Sequence, residues 1–332
     1  MNPVRTGVIG VGAWGEKHAR VYANLPEARL IGVTDADPAR ARAVAERHGV
    51  LAFEDPAALL AECEAVSVTV PTVAHREACE RATAAGCHVL VEKPMAFSVE
   101  DSDAMIAAAR RHGVQLQVGQ VERFNPAMMA AAAHLRAPRF IEAHRLALFQ
   151  ARSLDIDVVF DLMVHDIDLV LSLAGSEPVG LSAVGVAVLS GNEDIANARI
   201  EFRNGAIANL TASRVSQDRL RRIRFFQDEA YVAVDLFEKT CDLLRVDVAQ
   251  LHRALPFGLP AAMSAIGREK VAVAEGEPLA LELGAFLRSL RGTGGGAAPA
   301  QEGREAVRVA SEVRAAMKAR ARQWAAHPTA AC

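Results

Sequence analysis

The sequence predicts an α/β fold in two parts: a doubly wound parallel sheet, then a part with a mostly antiparallel sheet. Short β-type runs alternate with helical stretches over the first 120 residues, which is typical of βαβ units. A glycine-rich turn at residues 10–15 joins the first strand to the first helix. Later, several apolar runs follow one another without helices between them, which indicates antiparallel pairing. We therefore expect one domain over residues 1–120 and another over residues 121–332.

The elements of the first part follow from short apolar runs for the strands and from ordinary capping signals for the helices. Ser98 has the position of an N-cap, and Gly113 follows a last helical turn. The predicted strands are Val4–Ile9, Arg29–Thr34, Ala65–Val70, Val89–Val91 and Val114–Val118. The predicted helices are Gly15–Leu25, Pro38–His48, Val73–Ala85 and Val99–His112.

The second part contains longer runs of alternating apolar residues. Asn204 and Gly205 stand between two of them and are typical of a hairpin turn. The predicted strands are Phe140–Ala147, Leu181–Leu189, Ala196–Phe202, Ala206–Ser213, Arg221–Phe226 and Tyr231–Val234. The predicted helices are Pro126–Leu135, Asp157–Ser172, Leu279–Leu290 and Glu302–Arg320.

The helix over residues 157–172 is apolar on most of its circumference, yet polar residues recur in it at helical spacing. These residues are Asp157, Asp161, His165, Asp168 and Ser172. Their spacing places them on one face of an α-helix. Because buried carboxylates are costly unless they are paired, one interpretation is a buried helix whose polar face lines a reactive cavity. The other interpretation is an amphipathic helix whose narrow polar face contacts water.

Composition excludes several classes of function. The 332 residues suffice for two domains, and a net charge of −3 argues against a nucleic acid partner. No apolar run reaches transmembrane length and no signal peptide fits before Gly10, so we expect a cytoplasmic protein without membrane contact. The five cysteines form no CxxC pair, which predicts reduced thiols, and no His/Cys cluster has zinc-ligand spacing, so no metal is expected.

The glycine-rich turn predicts a dinucleotide site, because it lies between a strand and a helix and an acidic residue ends the next strand. Free N–H groups at the helix N-terminus would bind the pyrophosphate. The residues expected there are Gly10, Gly12, Ala13, Trp14 and Gly15. Asp35 can accept hydrogen bonds from the ribose hydroxyls and would repel a 2′-phosphate, which favours NAD, while nearby Arg40 leaves NADP open. A plain turn that closes an α/β unit is the alternative.

Lys93 follows the predicted strand Val89–Val91 directly, within the sequence Glu92-Lys93-Pro94. Ligands of open parallel sheets bind beyond the carboxyl ends of the strands, so we expect Lys93 to face the cofactor. Pro94 fixes the backbone and disfavours helix at Lys93. The alternative for a single lysine in a loop is a solvated side chain.

Four motifs occur together in this chain: GVIGVGAWGEKHARVY, VPTVAHREA, VLVEKPMA and DLMVHDIDL. In this order and at these separations, they resemble the glucose–fructose oxidoreductase/inositol dehydrogenase (Gfo/Idh/MocA) family over essentially the whole chain. The resemblance implies an NAD-dependent oxidoreductase with an N-terminal Rossmann domain and a C-terminal α/β domain. It also implies that the exposed face of a large open sheet forms a homodimer or homotetramer contact.

The resemblance further implies site residues. The lysine of the family's EKP motif is Lys93, and its Asp-x-x-x-His pair is Asp161 and His165. The loop residues implied at the cofactor are Pro71, Thr72, His75, Glu92 and Lys93. Thr72 departs from the pattern, because many members have Asn there.

The chemistry of these side chains fits oxidation of a secondary alcohol, in which a base takes the hydroxyl proton while hydride leaves the same carbon. His165 is a candidate base because its ordinary pKa lies nearest working pH. Asp161 can orient the ring. Lys93 can stabilise negative charge on the oxygen or relay the proton itself, so the sequence leaves the base open between His165 and Lys93. A core histidine bonded to a neighbour is the alternative for His165.

The segments VGQVERFNPAM and RFIEAHRLALFQARSLDIDVVFDLM resemble the UDP-N-acetylglucosamine 3-dehydrogenases of this family. This implies oxidation at C3 to a 3-keto sugar, which a transaminase converts into an amino sugar of lipid A or O-antigen. The substrate-binding residues expected on this reading are Lys93, Gln120, Arg123, Asn125, Arg152, Asp161 and His165. Arginine suits bidentate recognition of a diphosphate.

Three points stay open at this stage. An arginine-rich run over residues 214–224 could assist in diphosphate binding, or it could be a solvated strand face. A dehydrogenase of a free sugar, inositol or related polyol is a second possible function. A non-catalytic dinucleotide-binding sensor is a third, but it predicts loss of Lys93 or His165, and both are present.

Overall fold

The computed structural model describes residues 2–149, 156–259 and 263–326. Within these ranges the strands are β1 (Val4–Ile9), β2 (Ala28–Thr34), β3 (Leu51–Ala52), β4 (Ala65–Val68), β5 (His88–Glu92), β6 (Leu116–Gly119), β7 (Phe140–Leu146), β8 (Pro178–Val186), β9 (Ile195–Phe202), β10 (Ile207–Ser213), β11 (Leu220–Gln227), β12 (Ala230–Asp235), β13 (Thr240–Val246), β14 (Ile266–Lys270) and β15 (Ala298–Pro299).

The α-helices within the same ranges are α1 (Gly15–Asn24), α2 (Pro38–His48), α3 (Pro56–Glu62), α4 (His75–Ala84), α5 (Val99–His112), α6 (Pro126–Ala132), α7 (Val164–Leu173), α8 (Val248–Ala254), α9 (Pro278–Leu290) and α10 (Ala300–Ala326). A π-helical turn, Val159–Met163, precedes α7, and short 3₁₀ turns occur at Thr72–Ala74, Val121–Phe124 and Leu255–Phe257.

The chain divides into two compact units. The first comprises Met1–Phe124 and Gly276–Arg308, and the second comprises Asn125–Glu275 and the chain from Val309 onward. This division differs from the expected single break after residue 120. The reason is the apolar face of α9, whose Leu283 and Phe286 are fully buried in the core of the first unit. The segment Gly276–Arg308 therefore completes the first unit.

The first unit contains a sheet with the strand order β15-β6-β5-β4-β1-β2-β3. All of its pairs are parallel except the pair of β15 with β6. The chain runs from β1 to β2 on one side and continues from β4 on the other side of β1, so the strand order reverses beside β1. Ligands of doubly wound folds bind at this switch point. The predicted parallel α/β architecture is confirmed.

The second unit contains a sheet with the strand order β14-β13-β12-β11-β7-β10-β9-β8. Among the described strands of this sheet, only β7 and β10 pair in parallel, so the prediction of a mostly antiparallel sheet is confirmed. The expected hairpin turn lies between β9 and β10, where Gly205 has a φ of +85°. In β7 the residues alternate between buried and half-buried, which gives the sheet one covered face and one open face.

Sequence analysis missed several elements, among them β3, α3, α8, β13 and β14. The strand β3 has only two residues, and β14 is mostly exposed, so neither carries a clear apolar pattern. Conversely, the predicted strand at residues 65–70 ends two residues earlier, because Val70 belongs to the loop that follows β4.

The predicted continuous helix over residues 157–172 is also interrupted. The backbone N–H of Val164 donates to the carbonyl of Val159, five residues earlier, which is the hydrogen bond of a π-helix. Residues four apart across this turn therefore do not stack as they do in an α-helix. Asp157 and Asp168 are buried, while Asp161 and His165 are half-buried, so the polar residues do not share one environment.

Candidate active site

The glycine-rich turn has the geometry that a bound pyrophosphate requires. Gly10 has a φ of +87°, and a Cβ there would lie 2.7 Å from Cγ1 of Val70. A Cβ on Gly15 would clash with the carbonyl oxygen of Gly10. At Gly12 a Cβ would meet no described atom within 4 Å, so the space above this residue is open. The first and third glycines thus permit the turn, and the second leaves room for a ligand.

The ten-residue helix α1 begins directly after this turn, and no described side chain caps its N-terminus. Uncapped N–H groups and the partial positive charge of a helix start bind phosphate groups. Trp14 is 38 % exposed and stands beside the turn, with Nζ of Lys17 at 4.5 Å from its ring centroid. The residues present therefore fit the pyrophosphate of a dinucleotide.

Asp35 follows β2 at the same edge of the sheet. Its carboxylate accepts hydrogen bonds from the backbone N–H of Val11 at 2.7 Å and of Asp37 at 2.9 Å. The guanidinium of Arg40 donates to the same carboxylate at 3.2 Å. Asp35 is thus fixed beside the glycine-rich turn, and Arg40 is held by Asp35.

Lys93 and Pro94 begin the loop that follows β5, which we call the lysine loop, and the peptide bond between them is cis. Lys93 is half-buried, and its backbone N–H donates to Oε2 of Glu92 at 3.1 Å. The other oxygen of Glu92 lies 3.0 Å from Nε2 of His18. Glu92 therefore supports the backbone of the lysine loop, with its buried carboxylate turned toward α1. The cofactor contact expected of Glu92 stays a prediction.

Burial by itself would raise the pKa of Glu92. The hydrogen bond and charge of His18 outweigh burial, together with a hydrogen bond from Trp14 and the charge of Lys93, and hold the pKa below its ordinary value. Glu92 is therefore an ionised buried carboxylate at neutral pH. Its charge is balanced by groups on α1 and in the lysine loop.

His18 is the centre of a buried polar network that sequence analysis missed. Its Nδ1 lies 3.0 Å from Oγ of Ser67, which in turn lies 2.9 Å from the hydroxyl of Tyr22. All three side chains are fully buried. The signal in the sequence was a histidine on the first turn of a helix that must pack against the sheet.

His75 joins two loops. Its Nε2 lies 2.9 Å from the carbonyl oxygen of Val70, and its Nδ1 lies 3.1 Å from that of Pro94. Burial lowers the pKa of the ring, although the carbonyl contacts oppose this change. With 1 % of its surface exposed, His75 connects the loop after β4 to the lysine loop, and the cofactor contact expected of it stays a prediction. Pro71 and Thr72 remain at the surface of the loop after β4.

The predicted substrate residues after β6 have different places. Asn125 caps α6, since its Oδ1 accepts from the N–H of Ala127, and its Nδ2 donates to the carbonyl of Leu236. It is 3 % exposed and has a structural role at the start of α6, and the substrate contact expected of it stays a prediction. Arg123 forms an ion pair with Glu302.

Gln120 directly follows β6, at the carboxyl edge of the parallel sheet. Its Oε1 is buried and has no hydrogen-bond partner among the described residues. A buried acceptor without a partner is costly, so this atom suits a polar group of a ligand. Arg152 lies outside the described residues.

The second unit holds Asp161 and His165. Asp161 belongs to the π-helical turn and lines a cavity of about 170 Å³. His165 follows at the start of α7, four residues along the chain. Asp157, at the beginning of the segment, accepts hydrogen bonds from the N–H groups of Val159 and Phe160 at 3.0 and 3.1 Å. It fixes the start of the turn that carries Asp161.

Arg145 and Asp166 form a buried ion pair that sequence analysis missed. Two nitrogens of Arg145 donate to the two carboxylate oxygens at 2.9 and 2.8 Å. The side chains are only 3 % and 5 % exposed. Arg145 stands on the covered face of β7, after Ile141 and Ala143, and an arginine at a buried strand position was the available signal for an opposing carboxylate.

Arg214 and Asp194 form a second buried ion pair, with Nε at 2.9 Å from Oδ1. Arg214 also donates to the carbonyl of Ile156 at 2.8 Å, and Oδ2 of Asp194 accepts from the N–H of Val188 at 2.8 Å. Burial alone would raise the pKa of Asp194. Hydrogen bonds from Ser190, from backbone N–H groups and from Arg214 outweigh burial and hold this pKa well below its usual range.

The cysteines of the described residues are buried. Four cysteines have buried free thiols, as predicted, and burial raises the pKa of Cys63 to about 12. Cys332 lies outside the described residues. No group of His, Cys, Asp and Glu side chains in the described part of the chain is arranged to hold a metal ion. Over those same ranges, no helix has both the length and the apolar character needed to span a bilayer.

Comparisons with known proteins agree with this geometry. The model of an oxidoreductase family with an NAD-binding Rossmann fold matches residues 4–120, and that of the GFO/IDH/MocA C-terminal domain matches residues 130–233. The UDP-N-acetylglucosamine 3-dehydrogenase of Acidithiobacillus ferrooxidans is 40 % identical over 317 residues, which are 95 % of this chain and 98 % of that enzyme.

A solved structure of that enzyme has a TM-score of 0.87 and 38 % identity, and the match covers 96 % of this chain and 99 % of the other. The NAD-dependent scyllo-inositol 2-dehydrogenase of Bacillus subtilis is 32 % identical over 64 % of this chain and 68 % of its own length. The chain is therefore a member of the Gfo/Idh/MocA family of NAD-dependent oxidoreductases, which act on CH–OH groups.

Proposed function

We propose that this enzyme oxidises the C3 hydroxyl of UDP-N-acetylglucosamine to a 3-keto sugar. The observation that carries the proposal is the 40 % identity to a UDP-N-acetylglucosamine 3-dehydrogenase along nearly the full length of both chains. Lys93, Asp161 and His165 are all present, which supports a catalytic protein and argues against a mere dinucleotide sensor.

Bound NAD supplies a hydride acceptor, so the protein must manage the proton and the charge on oxygen. In our proposal His165 takes the hydroxyl proton, because an imidazole can act as a base near neutral pH. Asp161 orients the ring, and Lys93 stabilises negative charge on the oxygen. The contacts of Glu92 and His75 with the lysine loop would keep Lys93 in place during the reaction.

We also propose that the second unit binds the sugar and forms a homodimer or homotetramer through the open face of its sheet. An aromatic cluster on that face supports this. The ring of Phe226 lies 5.5 Å from Phe140 and 5.0 Å from Tyr231 between centroids, and Phe226 is more than a third exposed. Sedimentation analysis of the protein and of Phe226→Glu tests the proposal, since the charged residue should shift an oligomer toward monomer.

The pathway proposed for this enzyme is cytoplasmic synthesis of an amino sugar for lipid A or O-antigen, with a transaminase consuming the 3-keto product. A dehydrogenase of inositol or a related polyol is the second candidate. It is favoured by the similarity to scyllo-inositol 2-dehydrogenase, which covers about two thirds of each chain.

The test is to incubate the protein with NAD and UDP-N-acetylglucosamine and to follow the absorbance of NADH. A transaminase and an amino donor are included, because removal of the ketone pulls an unfavourable oxidation forward. myo-Inositol, scyllo-inositol and free N-acetylglucosamine serve as parallel substrates. NADH formation with UDP-N-acetylglucosamine, and not with the other substrates, supports the proposal. Turnover confined to the inositols or to free N-acetylglucosamine rejects it.

A further inference from the structure

Taking the proposed function as given, we propose that an arginine-lined cavity in the second unit binds the diphosphate of the nucleotide sugar. The cavity is lined by Arg145, Arg214, Arg219 and Arg221 together with Asp161. The arginines come from the covered face of β7, from the end of β10 and from the start of β11. Three of them, Arg214, Arg219 and Arg221, belong to the arginine-rich run over residues 214–224, whose role the sequence left open.

The size of the cavity fits a charged group better than a whole substrate. Its volume is about 170 Å³, while pockets for whole small molecules measure roughly 300–1,000 Å³. One water molecule takes up about 30 Å³ of liquid, so the cavity has room for several waters or for one or two phosphate groups. The nucleoside and the sugar would then extend beyond it.

The charges around the cavity favour an anion. Among its described lining residues, four carry a guanidinium group and one, Asp161, carries a carboxylate. Behind the lining, Asp166 pairs with Arg145, and Asp194 pairs with Arg214. Guanidinium groups bind phosphate oxygens in bidentate fashion, which suits this arrangement.

The strand register separates the arginines of the run by function. Arg221 lies directly opposite Arg145 in the antiparallel pair of β11 and β7. It lies on the same face of β11 as Ile223 and Phe225, which are fully buried, while Arg221 itself is exposed. Like charges at opposed positions of neighbouring strands repel each other, and an anion between them relieves that repulsion.

Arg222 and Arg224 lie on the other face of β11. Arg222 donates to Asp235 at 3.2 Å, and Arg224 donates to Glu142 at 2.9 Å. Both pairs are partly exposed ion pairs that stand apart from the cavity lining. Only part of the run is therefore a solvated face, and Arg222 is a matched control because it is the neighbour of Arg221 in sequence.

The cavity also adjoins the predicted catalytic segment, since Asp161 lines it and His165 follows four residues later. A diphosphate held by Arg219 and Arg221 would tether the sugar near the side chain that takes its proton. Such tethering raises the effective concentration of the reacting hydroxyl. We therefore expect substitutions of the cavity arginines to change KM more than kcat.

Calorimetric titration tests this site, with UDP, inorganic diphosphate, N-acetylglucosamine 1-phosphate and uridine as probes. We expect UDP to bind about tenfold or more weakly to Arg221→Ala and to Arg219→Ala, because each loses a charge-assisted hydrogen bond. Arg221→Lys should lose less, and Arg222→Ala should bind UDP within about twofold of the unaltered protein. KM for UDP-N-acetylglucosamine should rise by the same factors, with kcat little changed.

Unchanged UDP affinity in both Arg219→Ala and Arg221→Ala would overturn the inference. So would uridine binding as tightly as UDP, or N-acetylglucosamine 1-phosphate binding more tightly than UDP. UDP binding that depends on Arg221, in a protein that does not oxidise UDP-N-acetylglucosamine, would support the anion site and reject the proposed function. Oxidation of UDP-N-acetylglucosamine with a KM that does not change in these variants would support the proposed function and reject the anion site.

Discussion

The two units stabilise their buried polar groups by different chemistry. In the first unit, His18 connects Ser67 and Glu92 through hydrogen bonds, with Tyr22 bonded to the same serine. Ser67 and Tyr22 are its neutral members, and the hydrogen bond and charge of His18 hold the carboxylate of Glu92. The second unit instead uses two buried guanidinium–carboxylate pairs, Arg145–Asp166 and Arg214–Asp194.

This difference indicates how each unit tolerates change. A hydrogen-bonded network that loses one neutral member leaves donors or acceptors unsatisfied, at about 1–3 kcal/mol for each buried group. A buried ion pair that loses one member leaves an uncompensated charge, at about 3–5 kcal/mol. We therefore expect the second unit to be the more sensitive of the two to single substitutions of its buried polar residues.

The largest expected effect concerns the proposed catalytic residues, one of which belongs to each unit. Lys93→Ala in the first unit and His165→Ala in the second should each lower kcat by about 10²- to 10⁴-fold, the range for loss of an acid–base group. NAD affinity should stay nearly unchanged, as measured by quenching of protein fluorescence. Turnover that persists in one variant would remove that residue from the mechanism and assign the proton transfer to the other.

The next effect tests the ion pairs themselves. Arg214→Ala should lower the free energy of unfolding by about 3–5 kcal/mol, because Asp194 then remains buried beside fewer donors. Arg224→Ala is the matched control, since its pair with Glu142 is about one third exposed and should contribute about 0–1 kcal/mol. Urea denaturation measures both. Equal losses in the two variants would contradict the contrast between buried and exposed pairs.

A smaller loss is expected in the network of the first unit. His18→Ala should lower the free energy of unfolding by about 1–3 kcal/mol, because Ser67 and Glu92 each lose a buried partner. Since Glu92 also accepts from the backbone of Lys93, kcat should fall while KM for NAD changes little. His18→Gln keeps a donor at this position and should recover part of kcat. A kcat unchanged in His18→Ala would show that the network stabilises the fold without positioning Lys93.

The positions predicted from the sequence agree best with the structure where the functional residues belong to short motifs that directly follow strands. The glycine turn, Asp35 and the lysine loop follow β1, β2 and β5, which are parallel strands of one sheet, so a correct strand pattern was enough to place them at one edge of it. For Glu92 and His75 the motifs name the residues but not the direction of their side chains. Their burial against His18 and against backbone carbonyls depends on packing that no local pattern encodes.

The second unit was less predictable for a physical reason. Arg145 and Asp166 are 21 residues apart in the chain, and Arg214 and Asp194 are 20 apart, so each pair forms only after strands and helix have packed. Helical periodicity identified Asp161 and His165 but missed Asp166, because periodicity selects one face of an ideal α-helix. The π-helical turn then changed the spacing on which that selection depended.

The smallest effect is a pH dependence that distinguishes the two units further. The pKa of Asp194 is held well below its usual range, so its carboxylate stabilises the fold fully above about pH 4, the ordinary value in an unfolded chain. As pH falls below that value, the unfolded chain binds a proton that the folded chain does not, and the free energy of unfolding decreases by about 1.4 kcal/mol per pH unit. Asp194→Asn cannot bind this proton, so its stability should depend on pH less steeply by that amount between about pH 4 and pH 3. His18→Gln should keep the full slope from Asp194. Urea denaturation at intervals of half a pH unit measures these slopes, and identical slopes for Asp194→Asn and the unaltered protein would show that another carboxylate governs acid unfolding.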